Sequence, residues 1–585
     1  MFLKSLIVAL NQNTIKMKKL LLILTVLICS FQANAQETKI PEEVKTYIQS
    51  RVNNQVNVGI VVGYMVGDQV DYYSFGNTAM TNGAPVDKNS VFEIGSISKT
   101  FTTTILALKV NNGEMSLDDP ISKYLPETVK VPTKNGKEIT LKHLATHTSA
   151  LPRMPDNMEP KDINNPFADY TYDKLYSFIS NHELTRDIGV FSEYSNLGMG
   201  LLGHILELQS GLTFEELVIK HIANPLQMDN TRLVLTEQMT KRLAKGHAGL
   251  SETKNWDIIT LGGAGGIRST TSDMVKYIQA NLNSDSGNTT LDKAMQLAHQ
   301  SAFKSNDQHI EMALAWHIEN GKFLMHNGAT GGYCAMSAMD KASKKGVIVL
   351  TNSNENVDAI AIKLMVPSYP LKPVKPSIAK VMAKKIKDSS IDEAIMFYKD
   401  AKGSQADTYN FDVDQLNTLG YQFLEEDQNE IALALFKLNV VQFPEASNPY
   451  DSLAEAYLKT GNNDLAILNY KKSLDINPAN TNASDVLKTL GVNIDQVVVA
   501  PEILKTYVGK YQLAPAFFIT VTLADDRLYL QATGQSKFEI YPSDYNKFYL
   551  KVVEAKVEFK ANPEGQIDSM ILYQNGQVLP GQRVE

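Results

Sequence analysis

Gly95-Ser96-Ile97-Ser98-Lys99, continued by Thr100-Phe101-Thr102-Thr103-Thr104-Ile105-Leu106-Ala107-Leu108-Lys109-Val110, is the stretch on which the reading of this chain turns. Phe101, Ile105 and Leu108 recur at helical spacing, which predicts a helix with Ser96 at its start. Residues three apart on a helix share a face, so Lys99 comes back beneath Ser96. A serine hydroxyl is a poor nucleophile at neutral pH and needs a neighbouring base. A buried lysine with a lowered pKa can be that base, and the helix N-terminus adds a partial positive charge at the reacting centre. Ser96 is therefore a candidate nucleophile and Lys99 its base. The same spacing recurs at Ser301-Ala302-Phe303-Lys304, but in a polar stretch that opens no apolar helix.

Two further elements carry chemistry. Tyr194-Ser195-Asn196 precedes the run Leu197-Gly198-Met199-Gly200-Leu201-Leu202-Gly203. A tyrosine beside a serine–lysine pair can shuttle a proton between nucleophile and leaving group. An asparagine there can hold the substrate carbonyl or fix the lysine. Tyr573-Gln574-Asn575 has the same spacing, in a terminal hairpin pattern. The other element is His326-Asn327-Gly328-Ala329, followed by Thr330-Gly331-Gly332. Phe323–Met325 reads as an edge strand leading into it, and a glycine lets a substrate approach that strand closely. The backbone N–H groups of Ser96 and Ala329 then form an oxyanion hole.

In this order and at these separations, the three elements resemble the serine beta-lactamase and penicillin-binding protein superfamily. Within it they are most similar to the branch of class C beta-lactamases, D-alanyl-D-alanine carboxypeptidases and esterases. The resemblance implies that Ser96 is the acylated serine, Lys99 the lysine of its motif, and Tyr194 and Asn196 the ends of a Tyr-x-Asn motif. His326-Asn327-Gly328 stands where beta-lactamases have Lys-Thr-Gly, which makes Asn196, His326, Asn327, Gly328 and Ala329 the expected substrate-binding set. Further family-like stretches are Leu141–Ser149, Asn224-Pro225-Leu226-Gln227-Met228, and Gly265–Thr270 before Asp273-Met274. The chain departs from the pattern at Ala150, where glycine often follows His-Thr-Ser, and at His326, which is mostly neutral at neutral pH where lysine is charged. A beta-lactam carries a carboxylate that the lysine would grip. The expectation is therefore a peptidase, amidase or esterase acting through an acyl-enzyme on a small-molecule or peptide substrate. A beta-lactamase, or an inactive peptide- or peptidoglycan-binding protein of the same fold, is the alternative. No cofactor and no metal are expected. His143 and His147 are four apart, but no Glu lies between them to complete a metalloprotease motif.

At 585 residues the chain is too long for one core. The expected architecture is multidomain. A beta-lactamase-like α/β domain, an antiparallel sheet flanked by helices, covers 37–365. A linker with Pro367, Pro370, Pro373 and Pro376 follows at 366–380. In residues 381–490, Gly420, Phe423, Ala432, Phe436 and Pro444 return 34 positions later as Ala454, Tyr457, Ala466, Tyr470 and Pro478. That period, with small residues where helices cross and aromatics between them, resembles tetratricopeptide repeats, which would offer a surface to a protein or peptide partner. Residues 498–585 alternate in strand fashion, with Asn575-Gly576 as a hairpin signal, and predict a small antiparallel β domain read as a partial barrel.

Composition narrows the setting. A net charge of −8 without a basic stripe argues against a nucleic-acid partner. Lys18-Lys19, the apolar run Leu20–Cys29 and the small residues Ala33 and Ala35 have the layout of a secretory leader, cleaved before Gln36, with Met17 a possible start. The apolar run is too short for a spanning helix. Ile28 before Cys29 argues against a lipid-attachment cysteine, and Cys334 alone would remain, so no internal disulfide is expected. The expected location is periplasmic or secreted.

Overall fold

The structure, a computed structural model, describes residues 39–249, 251–305, 309–492, 499–562, 566–574 and 576–584. The expected leader, 1–36, and Asn575 of the hairpin signal lie outside the described residues.

An eight-stranded antiparallel sheet organises the first domain. In spatial order its strands are Gln69–Gly76, Gly59–Val66, Lys345–Thr351, Cys334–Asp340, Phe323–Ala329, His317–Glu319, Ile310–Met312 and Phe303–Ser305. The Gly59–Val66 strand is buried along nearly its whole length, because both of its faces are covered. Ile60 and Val62 pack with Val44, Ile48, Ile360 and Leu364 from helices Glu42–Asn53 and Asp358–Met365. Val61 and Met65 face the larger core, with Val275 and Ile278 of helix Thr271–Asn283. A strand covered on both sides reads as an unbroken apolar run rather than an alternation.

Phe323–Ala329 is not an edge strand where Phe323–Met325 was expected to be one. Those three residues pair with Glu319–His317, and two more strands lie beyond. Only His326–Ala329 has no partner on that side, while on the other it pairs with Ser337–Cys334. The sheet thus has a local edge in its middle.

The catalytic-helix expectation also shifts. Gly95–Ile97 is a single 3-10 turn, and the α-helix proper runs Ser98–Asn111. It is buried on every side from Ser98 to Lys109, not on one face. Buried threonine hydroxyls need acceptors, and they find carbonyls: Thr102 donates to Gly263 at 2.7 Å, Thr103 to Leu314 at 2.9 Å and Thr104 to Thr100 at 2.8 Å.

Helix resumes at Ile378–Asp388, capped by Ser377, just inside the end of the expected linker. The helices Val413–Glu425 and Asn429–Gln442 are followed by Ser447–Lys459 and Asn463–Ile476, each starting 34 residues after its counterpart. The C-terminal strands close into an eight-stranded antiparallel barrel, where the sequence pattern had pointed to a partial one. Closure is made by Tyr511 and Gln512 against Arg583 and Gln582. Gln574 pairs with Gln577.

Each region carries its own apolar core. The first domain's clusters contain no buried residue beyond Met365, the helical clusters run from Ile378 to Leu487, and the barrel cluster starts at Val499. Deleting residues 378–585 should leave kcat for a small neutral ester within about tenfold of the full chain, or ~1.4 kcal/mol in the barrier. Steady-state kinetics on a truncated protein shown to be folded by circular dichroism checks this. A larger loss would mean that the C-terminal regions help to build the site.

Candidate active site

The site starts from a lysine amine taken out of water. Lys99 is fully buried. Its Nζ lies 2.9 Å from Ser96 Oγ, 2.8 Å from Asn196 Oδ1 and 2.6 Å from the Ala264 carbonyl oxygen. Burial, with the Arg153 charge as a second cause, pushes its pKa well below the usual lysine range. A neutral amine keeps two N–H donors and one lone pair. Asn196 Oδ1 and the Ala264 carbonyl can only accept, so they take both donors. The lone pair is left for the Ser96 hydroxyl, the arrangement a general base requires. Ser96 is the one residue of Val91–Thr100 that is not fully buried.

Tyr194 closes the other side of the serine. Its hydroxyl makes a hydrogen bond with Ser96, and burial pushes its pKa up to about 12 against that bond and the nearby Arg153. Its ring has Lys99 Nζ at 4.8 Å, Arg153 Cζ at 5.1 Å and the His147 ring at 4.6 Å. The tyrosine therefore holds its proton at neutral pH.

The Tyr194-Ser195-Asn196 element is pinned from a single loop. Ser195 caps helix Asn196–Ser210. The Ser195 N–H donates to His147 Nδ1 at 3.1 Å, its Oγ donates to the Pro152 carbonyl at 2.7 Å, and the Asn196 N–H donates to the Arg153 carbonyl at 2.9 Å. Asn196 Nδ2 lies 3.4 Å from Met154 Sδ, which fixes the amide with its oxygen toward Lys99. Of the two roles open to Asn196, this geometry favours holding the lysine. The loop carries backbone strain: His147 and Ala150 have φ of +59° and +63°. Ala150 thus keeps the left-handed turn that glycine would adopt more easily.

The third element meets the serine through two glycines. Gly95 has φ +49°, and a Cβ there would lie 2.7 Å from Ala329 N. A Cβ on Gly328 would lie 2.0 Å from the Ile94 carbonyl oxygen and 3.0 Å from Ser96 N. The absence of both side chains lets the Ser96 and Ala329 backbones come together beside the unpaired edge. His326 is buried, with Nδ1 2.5 Å from the Asn327 carbonyl oxygen. That contact requires the proton on Nδ1, and Nε2 is left without a partner among the described residues. Burial first, then the neighbouring His317 and Lys99, holds His326 well below the usual histidine range, so it is neutral. Asn327 alternates to the other side, where its amide donates to Asp358 Oδ2 at 3.1 Å.

Ser96, Lys99, Tyr194, Asn196, His326, Gly328 and Ala329 are thus brought together, while the Asn327 side chain is not. The second Ser-x-x-Lys lies elsewhere, with Lys304 paired to Glu311, and Tyr573 bonds Glu558 within the barrel. His143, read as structural, caps its own helix through Thr140. Sequence reasoning missed Ala264, His147 and Arg153 as site groups. Ala264 acts through its carbonyl, which no residue type announces. His147 stood in the family-like Leu141–Ser149 stretch, and Arg153 follows a few residues later.

Residues 44–365 match the family model described as Beta-lactamase, and residues 495–583 match a domain of unknown function (DUF3471). The chain is 34% identical over 220 residues to the D-alanyl-D-alanine-carboxypeptidase/endopeptidase AmpH of Escherichia coli K12, a match spanning 37% of this chain and 56% of AmpH. It is 24% identical over 540 residues to penicillin-binding protein 4* of Bacillus subtilis, covering 87% of this chain and 91% of that protein. Among solved structures, a beta-lactamase/D-alanine carboxypeptidase from Yersinia pestis, complexed with citrate, aligns with a TM-score of 0.50 and 28% identity, over 57% of this chain and 99% of that one.

Two predictions follow from the geometry. Gly328→Ala forces Ile94 and the Ser96 turn apart, and should lower kcat by at least ~100-fold, the size of losing one oxyanion donor. Equal kcat in the variant would show that the Ala329 N–H is not used. The second concerns pH. A base must be unprotonated, so kcat/KM for a neutral ester should rise with pH through a midpoint well below that of an ordinary lysine. With Tyr194 near 12, the plateau should hold without an alkaline fall to about pH 10. A pH–rate profile from about pH 5 to 10 checks both limbs.

Proposed function

We propose, since this chain belongs to the Beta-lactamase family, that it is an exported serine hydrolase forming an acyl-enzyme at Ser96 on a D-amino-acid amide, peptide or ester. The observation that carries this reading is the fully buried Lys99 amine 2.9 Å from Ser96 Oγ, its pKa held well below the usual lysine range by burial. Ser96 attacks the carbonyl carbon while its proton passes to Lys99. The oxyanion is stabilised by the N–H groups of Ser96 and Ala329. Tyr194 gives its proton to the leaving amine or alcohol and takes one from Lys99. Water then attacks the acyl carbonyl along the same route in reverse.

Among the described residues no helix is long and apolar enough to cross a membrane. Together with the leader pattern, that supports a periplasmic or secreted location. The 34-residue helix pairs support a tetratricopeptide-like role in binding a peptide or protein partner. An inactive binding protein of this fold is disfavoured, because binding alone needs neither the nucleophile nor the lysine arranged to activate it.

A fluorophosphonate or penicillin probe should label Ser96, read by intact mass and peptide mapping and abolished by Ser96→Ala. Labelling at another serine would overturn the assignment. The edge strand sets a preference against beta-lactams. His326 offers no fixed charge to their carboxylate, and Asn327 is held by Asp358. His326→Lys combined with Asn327→Thr should raise kcat/KM for a cephalosporin relative to a neutral ester by about tenfold or more, the scale of one charged hydrogen bond. A ratio that does not move toward the cephalosporin would show that this charge does not decide specificity.

A further inference from the structure

The site lacks a charged group on its edge strand, yet it has a permanent cation, Arg153, beside Tyr194. Arg153 follows the strained turn at Ala150. Its carbonyl accepts from the N–H groups of Asn196 and Leu197 at 2.9 and 3.2 Å, so its backbone is fixed at the start of the Asn196 helix. The side chain is exposed, with Cζ 5.1 Å from the Tyr194 ring. It has no ion pair or side-chain hydrogen bond among the described residues. The neighbouring acid, Glu193, is paired with Arg186.

The other candidate cations are neutralised by their surroundings. Lys99, His147, His317 and His326 are all held below their usual ranges, chiefly by burial. The Arg153 charge reaches Lys99, Tyr194 and His147. Glu319 acts on His317, raising its pKa against the larger effect of burial. A guanidinium keeps its charge at any pH of interest and presents a planar fork of donors that matches a carboxylate. Resting on an aromatic face leaves the edges of that fork open.

We propose that Arg153 is a substrate-binding residue that selects substrates bearing a carboxylate. This rests on the hydrolase reading. The carboxylate belongs either to the leaving group, as in a peptide ending in a free D-amino acid, or to the acyl side chain. Docked on Arg153, it lies close to Tyr194, whose ring is 5.1 Å from the guanidinium carbon.

The test uses paired substrates and the full chain. Acetyl-D-Ala-D-Ala is compared with its C-terminal amide, and a succinyl-D-Ala ester with the acetyl-D-Ala ester, in wild type, Arg153→Gln and Arg153→Lys. Arg153→Gln should lower, at least tenfold in one pair, the ratio of kcat/KM for the carboxylate-bearing member to that for its neutral partner, and Arg153→Lys should fall between. The pair that responds identifies the carboxylate's position. Equal losses on both members would mean that Arg153 only braces Tyr194, and no loss would mean that it binds nothing; either overturns the proposal. Binding of the same compounds to Ser96→Ala, with and without Arg153→Gln, is measured by calorimetry. A carboxylate preference that is absent there, or that survives the second substitution, also overturns it. Because this binding needs no turnover, a chain that fails to hydrolyse anything would defeat the hydrolase reading and still leave the Arg153 proposal decided.

Discussion

A lysine amine enclosed in protein is the constraint around which the rest of this domain is arranged. Removing a charged ammonium from water is costly, and the protein avoids that cost by lowering the pKa until the amine is neutral. A neutral amine has directional needs. Two carbonyl oxygens, from Asn196 and Ala264, satisfy its donors and turn its lone pair to Ser96. These groups come from three places in the chain: the helix Ser98–Asn111, the start of helix Asn196–Ser210, and the glycine-rich turn Gly262–Gly265. The three must pack closely, and small residues at the crossings let them. The buried threonines of the central helix extend the same device, bonding carbonyls of Gly263 and Leu314 on either side.

Around this amine the site separates protons by environment. Lys99 and Tyr194 lie within 5 Å of each other, yet burial lowers the lysine and raises the tyrosine. Both shifts favour the uncharged form, so the resting site carries a base and an acid without net charge from either. His147, His317 and His326 follow the same logic. Two imidazoles, of His147 and His326, and an amine pack around one phenol, and His317 packs in turn on His326. Arg153 is the exception, exposed and permanently cationic at the rim, which makes the site electrostatically one-sided.

The unpaired backbone from His326 to Ala329 owes its openness to a neighbour that stops early. His317–Glu319 pairs only as far as Met325, and beyond that point the strand is free to meet a substrate chain through its main-chain groups. The alternation of the strand then assigns the side chains: His326 inward, Asn327 outward to Asp358, Gly328 against the serine turn. The helical pairs and the barrel contribute no residue to this arrangement and have cores of their own.

The sequence by itself determined the order of the parts and pointed to most of the side chains that the fold brings together. Ser96 with Lys99, Tyr194 with Asn196, and His326 with Gly328 were legible because the reactions need those residue types at fixed spacings, and the 34-residue repetition was legible because stacked helix pairs need small and aromatic residues at matched positions. The tertiary structure alone decided what depends on neighbours distant in the chain. Periodicity placed one apolar face on the central helix, but threonines can be buried when carbonyls from other segments receive their hydroxyls, so the helix is enclosed all round. The barrel was read as partial because no pattern within a strand reports whether the first and last will pair, as Tyr511 and Arg583 do. Asn327 was assigned to the substrate by its place in a motif, and only the strand's register turned it away. Ala264 enters through a carbonyl, a group every residue has, and Arg153 through its position over a ring more than forty residues later. A local pattern specifies which group can do the chemistry; only the packed chain fixes which groups surround it, and that surrounding sets the protonation states on which the chemistry depends.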